Sequence, residues 1–405
     1  MDTIISLLGI STLLLIAFLF SRDRKSINLR TVIGSFAIQL IIGAITLYSE
    51  TGVSTLNYLS SGVSSILGNA QEGIEFVFGQ IGSLELGFIF AFHILPVIVF
   101  FSSLVSVLYH IGLMGWVIKI IGGGLQVALQ TSKAESMSAT ANIFVGQTEA
   151  PLIVRPYIPA MSNSELFAVM VGGLSTVAGS VLLGYSLLGV DMNFLLAASF
   201  MAAPGGLLMA KLLVPERPEK RKEHGNIKIQ IEDHTNVIEA AVVGASRGMN
   251  LALNIGAIVL AFVGLIALIN SLLGGIGNFF GVENFSLDFI LGYVFKPIAF
   301  IIGIPWPEAQ LAGNLIGQKL VFNEFLAFAS FTDQLDSFSE RSQAIISFAL
   351  CGFANFASIG ILLGGLGGMA PDRKSEIAQL GLRAVFAGFL ANLMSAAIAS
   401  FFLSF

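Results

Sequence analysis

The chain has 405 residues, of which 55% are hydrophobic and 11% charged, against about 25% charged in an ordinary soluble domain. With a mean hydropathy of +0.86, its polar coat is too thin for a soluble fold, and 44 glycines suit closely packed membrane helices, so the composition describes a polytopic membrane protein. A net charge of −5 excludes a nucleic-acid binder, the lone Cys351 a disulfide scaffold, and the continuous apolar runs an outer-membrane barrel of alternating strands.

A spanning helix needs about 20 mostly apolar residues. Such runs fall near 4–20, 31–48, 88–108, 165–187, 193–213, 248–272, 342–365 and 380–403. The first is read as a helix and not a signal peptide: its basic cluster follows it, and no small-residue cleavage site is evident. Arg22, Arg24, Lys25 and Arg30 then put the first loop inside and the N-terminus outside. The segment 49–87 carries Glu50, Glu72, Glu75 and Glu85 with no Lys or Arg, and is expected outside. Lys211, Arg217, Lys220, Arg221, Lys222 and Lys228 mark a long inside loop, and Arg373 with Lys374 a third.

These three inside loops agree only if an even number of crossings separates each pair. That parity decides the stretch 286–304. Counted as a crossing, it would put Arg373 and Lys374 outside, and Lys296-Pro297 is expected to interrupt its helix. It is read as interfacial or partly inserted. Residues 109–128 are read as lying at the inner interface, and 275–285 as a Gly/Asn-rich outside connection.

Two segments do not read as ordinary helices. One is 131–163, with Asn142, Gly146-Gln147 and Glu149 at its middle. The other is 305–341, with Asn314, Gly317-Gln318 and Glu324. Each is too short to cross twice, yet parity returns each to its own side. Two half-helices meeting at a polar tip satisfy both facts. Such a re-entrant hairpin is allowed at membrane depth where it is buried in protein or lines a wet cavity. The helix after each hairpin is also unusual. Residues 173–184 read GLSTVAGSVLLG and 352–363 read GFANFASIGILL, with small and polar residues at mid-span. Aligned at the first glycine, Thr176 meets Asn355 and Gly179 meets Ser358. Locally unwound backbone with free carbonyls is expected there. The two units enter from opposite sides, and an inverted repeat of broken helices is the layout of a secondary transporter.

Glu149 and Glu324 carry the sharpest signal, because a charge at membrane depth is costly and tends to be functional. The competing reading pairs each with a hidden cation, and Lys319 is the candidate for Glu324. Gln147, Thr148, Asn355 and Ser358 supply amides and hydroxyls that suit a ligand with many hydrogen-bonding edges, or else join helices to one another. Phe353 and Phe356 flank Asn355 and could stack on a flat ring, although with 34 phenylalanines packing is the ordinary use of any one. His93, His110, His224 and His234 have no metal-ligand spacing, and Cys351 reads as a small apolar residue. No GxSxG, HExxH or P-loop pattern occurs, and the glycine runs follow no strand.

GQTEAP at 146–151, STVAGSV at 175–181, PWPEA at 305–309 leading to NEF at 323–325, and GFANFASIG at 352–360 together resemble the concentrative nucleoside transporter family. The match runs from about residue 85 onward, and the N-terminal part resembles the bacterial members with eight membrane helices. The resemblance implies a homotrimer whose protomers carry a scaffold part and a mobile transport part. It implies that Gln147, Thr148 and Glu149 face the nucleobase, with Val181 and Phe353 on its apolar surface, and that Glu324, Asn355 and Ser358 take the ribose hydroxyls. It implies a sodium ion held by Asn142, Val145, Thr176 and Val177, partly through main-chain oxygens. Thr176 stands where some relatives have Ser, and its hydroxyl can still coordinate.

The expected fold is thus an all-α polytopic membrane protein: eight transmembrane helices, two re-entrant hairpins in an inverted repeat, and interfacial helices. Residues 1–130 form scaffold helices and the inner interfacial helix. Residues 131–187 form the first hairpin and broken helix. Residues 188–304 hold scaffold helices, the cytoplasmic loop 211–247 and interfacial segments. Residues 305–365 form the second hairpin and broken helix, and 366–405 the last helix. The expected function is sodium-coupled symport of nucleosides such as uridine, cytidine and adenosine across a bacterial inner membrane, with both termini outside. Proton coupling, which some bacterial relatives use, is the alternative. An intramembrane enzyme using Glu149 and Glu324 as acid and base is a remote one, since no nucleophile, metal cluster or phosphate loop accompanies them.

Overall fold

The computed structural model describes residues 2–83, 85, 87–217, 234–282 and 284–405. Lys220, Arg221, Lys222, Lys228 and His224 lie outside the described residues. Among the described residues every regular element is a helix. In chain order these are α1 (Asp2–Leu19), α2 (Leu29–Leu47), α3 (Glu50–Phe78), α4 (Phe90–His93), α5 (Leu95–His110), α6 (Leu113–Leu129) and α7 (Lys133–Ala141). There follow α8 (Asn163–Ser175), α9 (Gly179–Leu187), α10 (Met192–Leu213), α11 (Val237–Phe280) and α12 (Leu287–Ile301). The last are α13 (Ala309–Val321), α14 (Glu324–Thr332), α15 (Glu340–Leu350), α16 (Ala357–Met369) and α17 (Lys374–Phe402).

Among the described residues seven stretches are long and apolar enough to cross a membrane, and they fall on seven of the eight expected spans. The eighth, 342–365, is divided between α15 and α16. The all-α, multi-pass reading therefore holds. Two local expectations do not. The connection 275–285 is largely helix, because α11 continues to Phe280 before Gly281 ends it in a left-handed conformation. Pro297 does not interrupt its helix: α12 runs through it to Ile301, giving up one backbone bond. Most of the segment 49–87, expected outside, is the 29-residue α3, which buries Gly52, Leu56, Ala70 and Ile74 along one face.

α10 packs against α2, α8 and α17, and α17 in turn against α1, α8 and α15. α5 and α11 stand to one side and pack mainly on each other. Their contact is a ladder of small residues: Ala240, Gly244, Gly248 and Ala252 are the buried residues of α11's first half. A methyl group on Gly248 would come within 2.7 Å of the Val99 Cα, so only glycine lets the two backbones approach there. α6 packs on α7 and α12 on α13, so each hairpin's first arm has its own short partner helix.

Lys211, read as part of a polar loop, sits in the last turn of α10 and is 5% exposed. Its ammonium forms an ion pair with Glu135 and donates to the Ser164 hydroxyl at 2.9 Å. It thereby ties together the starts of α7 and α8. Both starts are capping boxes, Ser132 with Glu135 and Ser162 with Glu165, which satisfy the first amides of each helix.

Candidate functional site

The two arms of the first hairpin are α7 and a 3-10 helix, Ala150–Ala160, and they pack against each other. The second arm cannot be a regular α-helix because Pro151, Pro156 and Pro159 remove backbone donors. Between the arms, residues 142–149 form a buried or half-buried irregular tip. The second hairpin is α13 and α14, with Phe322 and Asn323 between them. Asn323 caps α14 by accepting from the Leu326 amide at 2.8 Å, which puts Glu324 at the first helical position. A carboxylate is favoured at a helix N-terminus.

Each hairpin is followed by a helix in two pieces. α8 stops at Ser175, residues 176–178 are not helical, and α9 begins at Gly179. α15 stops at Leu350, residues 351–356 are not helical, and α16 begins at Ala357. The second break is twice as long as the first, so aligning the two at their first glycine brings the helix restarts to within one residue but leaves the helix ends four residues apart. The polar backbone of the breaks finds partners on the other break and on each unit's own hairpin. The Phe353 amide donates to the Thr176 carbonyl at 3.1 Å, the Gly179 amide to Phe144 O at 3.0 Å, and the Phe356 amide to Leu320 O at 3.1 Å.

Between the hairpin tips and α11 lies a cavity of about 590 Å³, within the range of roughly 300–1,000 Å³ usual for small-molecule sites. All eight residues expected at a substrate line it: Gln147, Thr148, Glu149, Val181, Glu324, Phe353, Asn355 and Ser358. Glu324 is 5% exposed and held at both oxygens. Tyr185 donates its hydroxyl to Oε1 at 3.0 Å, and the Asn355 amide donates to Oε2 at 3.0 Å. Asn355 Oδ1 accepts in turn from the Ser358 amide at 2.9 Å. Across the repeat, Gln147 Nε2 donates to Ser358 Oγ at 3.3 Å, while Gln147 Oε1 has no hydrogen-bond partner. Glu149 Oε2 accepts from the Gly146 amide at 2.9 Å. Glu149 also faces a smaller space of about 90 Å³, walled in part by Tyr109, Ser180, His234 and Arg247. Phe356, unlike Phe353, is 47% exposed and does not line the main cavity.

The four residues expected at a cation are each at most 4% exposed: Asn142, Val145, Thr176 and Val177. Asn142 is the C-cap of α7 and donates to Ser138 O at 2.9 Å, but its Oδ1 has no hydrogen-bond partner. A buried acceptor without a donor is what a bound cation would satisfy, and an oxygen-only set suits a hard ion. These residues therefore fit sodium. Among the described residues no group of three or more His, Cys, Asp or Glu could hold a metal ion.

The proposed pairing of Lys319 with Glu324 is not what the fold contains. The Lys319 ammonium bonds to Ala349 O at 2.7 Å and to Asn392 Oδ1 at 2.6 Å. Asn314 and Gln318, the counterparts in sequence pattern of Asn142 and Gln147, bond to each other at 3.4 Å, and Gln318 also donates to Asp288 at 3.0 Å. His93 is packed, with its ring nitrogens on Ile89 and Ser83, and His110 lies 6.3 Å from His234, ring to ring. Reading the sequence missed Tyr185, Asn323 and the α11 residues Arg247, Asn250 and Asn254, all at or around the cavity. The signal for the last two was there: paired amides four apart in an otherwise apolar helix.

An all-helical membrane protein with two hairpin tips and two interrupted helices around one polar, carboxylate-bearing cavity is a secondary transporter by architecture. Three family models cover most of the chain: "Na+ dependent nucleoside transporter N-terminus" over residues 8–81, "Nucleoside recognition" over 91–191, and "Na+ dependent nucleoside transporter C-terminus" over 194–400. An uncharacterized transporter of Haemophilus influenzae is 54% identical, covering all of this chain and 98% of that protein. The nucleoside permease NupC of Helicobacter pylori is 48% identical, covering 99% and 98%. The solved structure of CNTnw in an inward-facing substrate-bound state matches with a TM-score of 0.94 at 53% identity, covering 100% of this chain and 98% of that one. A CNTnw double variant in an outward-facing state matches at 0.96. The chain belongs to the concentrative nucleoside transporter family. Its relatives and its fold are those of transporters and not of enzymes.

Proposed function

We propose that this chain is a sodium-coupled nucleoside symporter that works by alternating access. The observation that carries this reading is the cavity, where side chains from both repeat units converge on a buried carboxylate held by Tyr185 and Asn355. A carboxylate with fixed donors still has lone pairs for ribose hydroxyls, and charge-assisted acceptors bind them strongly. Gln147 and Glu149, with Thr148 beside them, present amide and carboxylate edges to the base, and Val181 and Phe353 present apolar surface. Sodium sits between the tip of the first hairpin and the first break, on Asn142, Thr176 and the main-chain oxygens of Val145 and Val177. Sodium supplies a positive charge that orders those oxygens and fixes the tip against α8. One charge crossing about 100 mV yields about 2.3 kcal/mol and a tenfold sodium gradient about 1.4 more, enough for roughly a several-hundred-fold nucleoside gradient.

The moving part holds both hairpins and both broken helices, and α5 with α11 forms the wall they move along. Family membership supports a homotrimer in a bacterial inner membrane with both termini outside. The face of 248–272 turned away from the cavity, where Leu253 and Leu260 are 61% and 79% exposed, suits contact with a neighbouring protomer or lipid, and 88–108 packs beside it. The test is uptake of labelled uridine into proteoliposomes, with sodium and proton gradients imposed separately. Accumulation driven by sodium at fixed pH is expected. Accumulation driven by protons with sodium absent would give the coupling role to a carboxylate instead.

A further inference from the structure

We infer that Lys319 is a tethered cation, filling at the second break the position that sodium takes at the first, so that this transporter needs one dissolved ion and carries the other in its own chain. The inference rests on sodium binding at the first break.

The two units correspond part by part. α7 and α13 are the first arms of the hairpins, and α8 and α15 are the first halves of the broken helices. In the first unit the orphaned oxygen belongs to Asn142, at the C-terminal end of α7, beside the C-terminal end of α8. In the second unit Lys319 lies in the last turn of α13, and its ammonium reaches the Ala349 carbonyl at the C-terminal end of α15. Helix C-termini leave unpaired carbonyls and carry partial negative charge, so a cation is the natural occupant of either junction.

The surroundings of Lys319 are those of an ion. Its side chain is fully buried, yet neither of its hydrogen-bond partners is a carboxylate. It faces neutral oxygens, Ala349 O and Asn392 Oδ1, and the ring of Phe389 lies 5.9 Å away. A buried charge with no carboxylate bonded to it is retained only where its setting is built for it. The setting extends to the other break. Asn392 Nδ2 donates to Ser175 O at 2.7 Å and Cys351 O at 2.9 Å, gathering the last carbonyl of α8 and the first of the second break around the amide to which Lys319 donates. A methyl group on Gly352 would overlap that amide, so the junction has no room to spare.

The experiment compares Lys319→Ala, which removes the charge and opens space, with Lys319→Met, which removes the charge and fills the space. Uridine binding to the purified full chain is measured against sodium, and against ethylammonium at fixed sodium. For Lys319→Ala we expect the Hill coefficient for sodium to rise from about 1 toward about 2, or ethylammonium to restore binding by about tenfold. For Lys319→Met we expect weak binding that neither cation restores. Three results would overturn the inference. One is Lys319→Ala binding uridine with the wild-type sodium dependence. Another is equal behaviour of the two variants. The third is an unfolded Lys319→Ala protein that about 100 mM of either cation fails to stabilise against heat, since an occupant that solution cannot replace is not standing in for an ion. Wild-type protein run alongside separates the two failures. Sodium-independent wild-type binding removes the site at the first break, whereas ethylammonium rescue of Lys319→Ala is read without reference to it.

Discussion

In the first hairpin the tip is eight irregular residues, 142–149, and the break facing it is three residues long. In the second the tip is two residues and the break is six. The first unit therefore exposes main-chain oxygen at its hairpin, and an orphaned amide oxygen beside it. The second instead presents a side chain: a carboxylate at a helix start, oriented by Tyr185 from the first unit and Asn355 from its own break. Two units built from the same parts thus present two different surfaces. Irregular backbone suits a hard ion, and a positioned carboxylate suits hydroxyls.

If this division is right, the largest effect belongs to the carboxylate. Glu324→Gln should weaken binding of every nucleoside by about 100-fold, because it loses charge assistance toward the ligand and mismatches one of its two fixed donors. Calorimetry with uridine, cytidine and adenosine reads this directly, and uridine affinity kept within about twofold would break the assignment. Next comes Asn142→Leu. It removes the unpaired oxygen and should raise the sodium needed for half-maximal uridine binding by about 30-fold, roughly 2 kcal/mol, while leaving the base preference unchanged. A change in base preference from this substitution would merge the two surfaces.

Gln147→Ala should alter selectivity by about tenfold between purine and pyrimidine nucleosides, because an edge-reading group left unmatched discriminates steeply. Competition binding with paired nucleosides checks it, and a uniform loss would move Gln147 out of the base site. The smallest effect is expected of Thr176→Ala, about threefold in apparent sodium affinity with transport kept at high sodium, since the hydroxyl is one ligand among main-chain oxygens. An effect as large as that of Asn142→Leu would shift the weight of the cation site from the tip to the break.

What the sequence displayed and what it concealed follow the same division. Glu149 and Glu324 were legible because a carboxylate inside an apolar run has few structural uses. Their neighbours on the same turns came with them. Tyr185 was concealed because a phenol in an apolar helix signals nothing until its partner, 139 positions away, is known. The Lys319–Asn392 contact joins residues 73 apart, and proximity along the chain pointed to Glu324 instead. The lengths of the breaks were unreadable for another reason. Gly173 lies inside α8 and Gly352 inside the second break, so one residue type serves helix packing in one case and the break in the other. The ladder 240, 244, 248, 252 on α11 was in plain view, but among 44 glycines a four-residue spacing does not stand out.

α11 has a consequence for the lipid. Residues 251–280 contain no charged side chain, and thirty helical residues extend about 45 Å, against roughly 30 Å of bilayer hydrocarbon. Such a helix must incline steeply, or the surrounding acyl chains must stretch to meet it. If α11 is the wall along which the proposed transport part moves, membrane thickness sets that wall's angle, and a bilayer of longer or shorter lipids would re-aim it without touching a single binding residue.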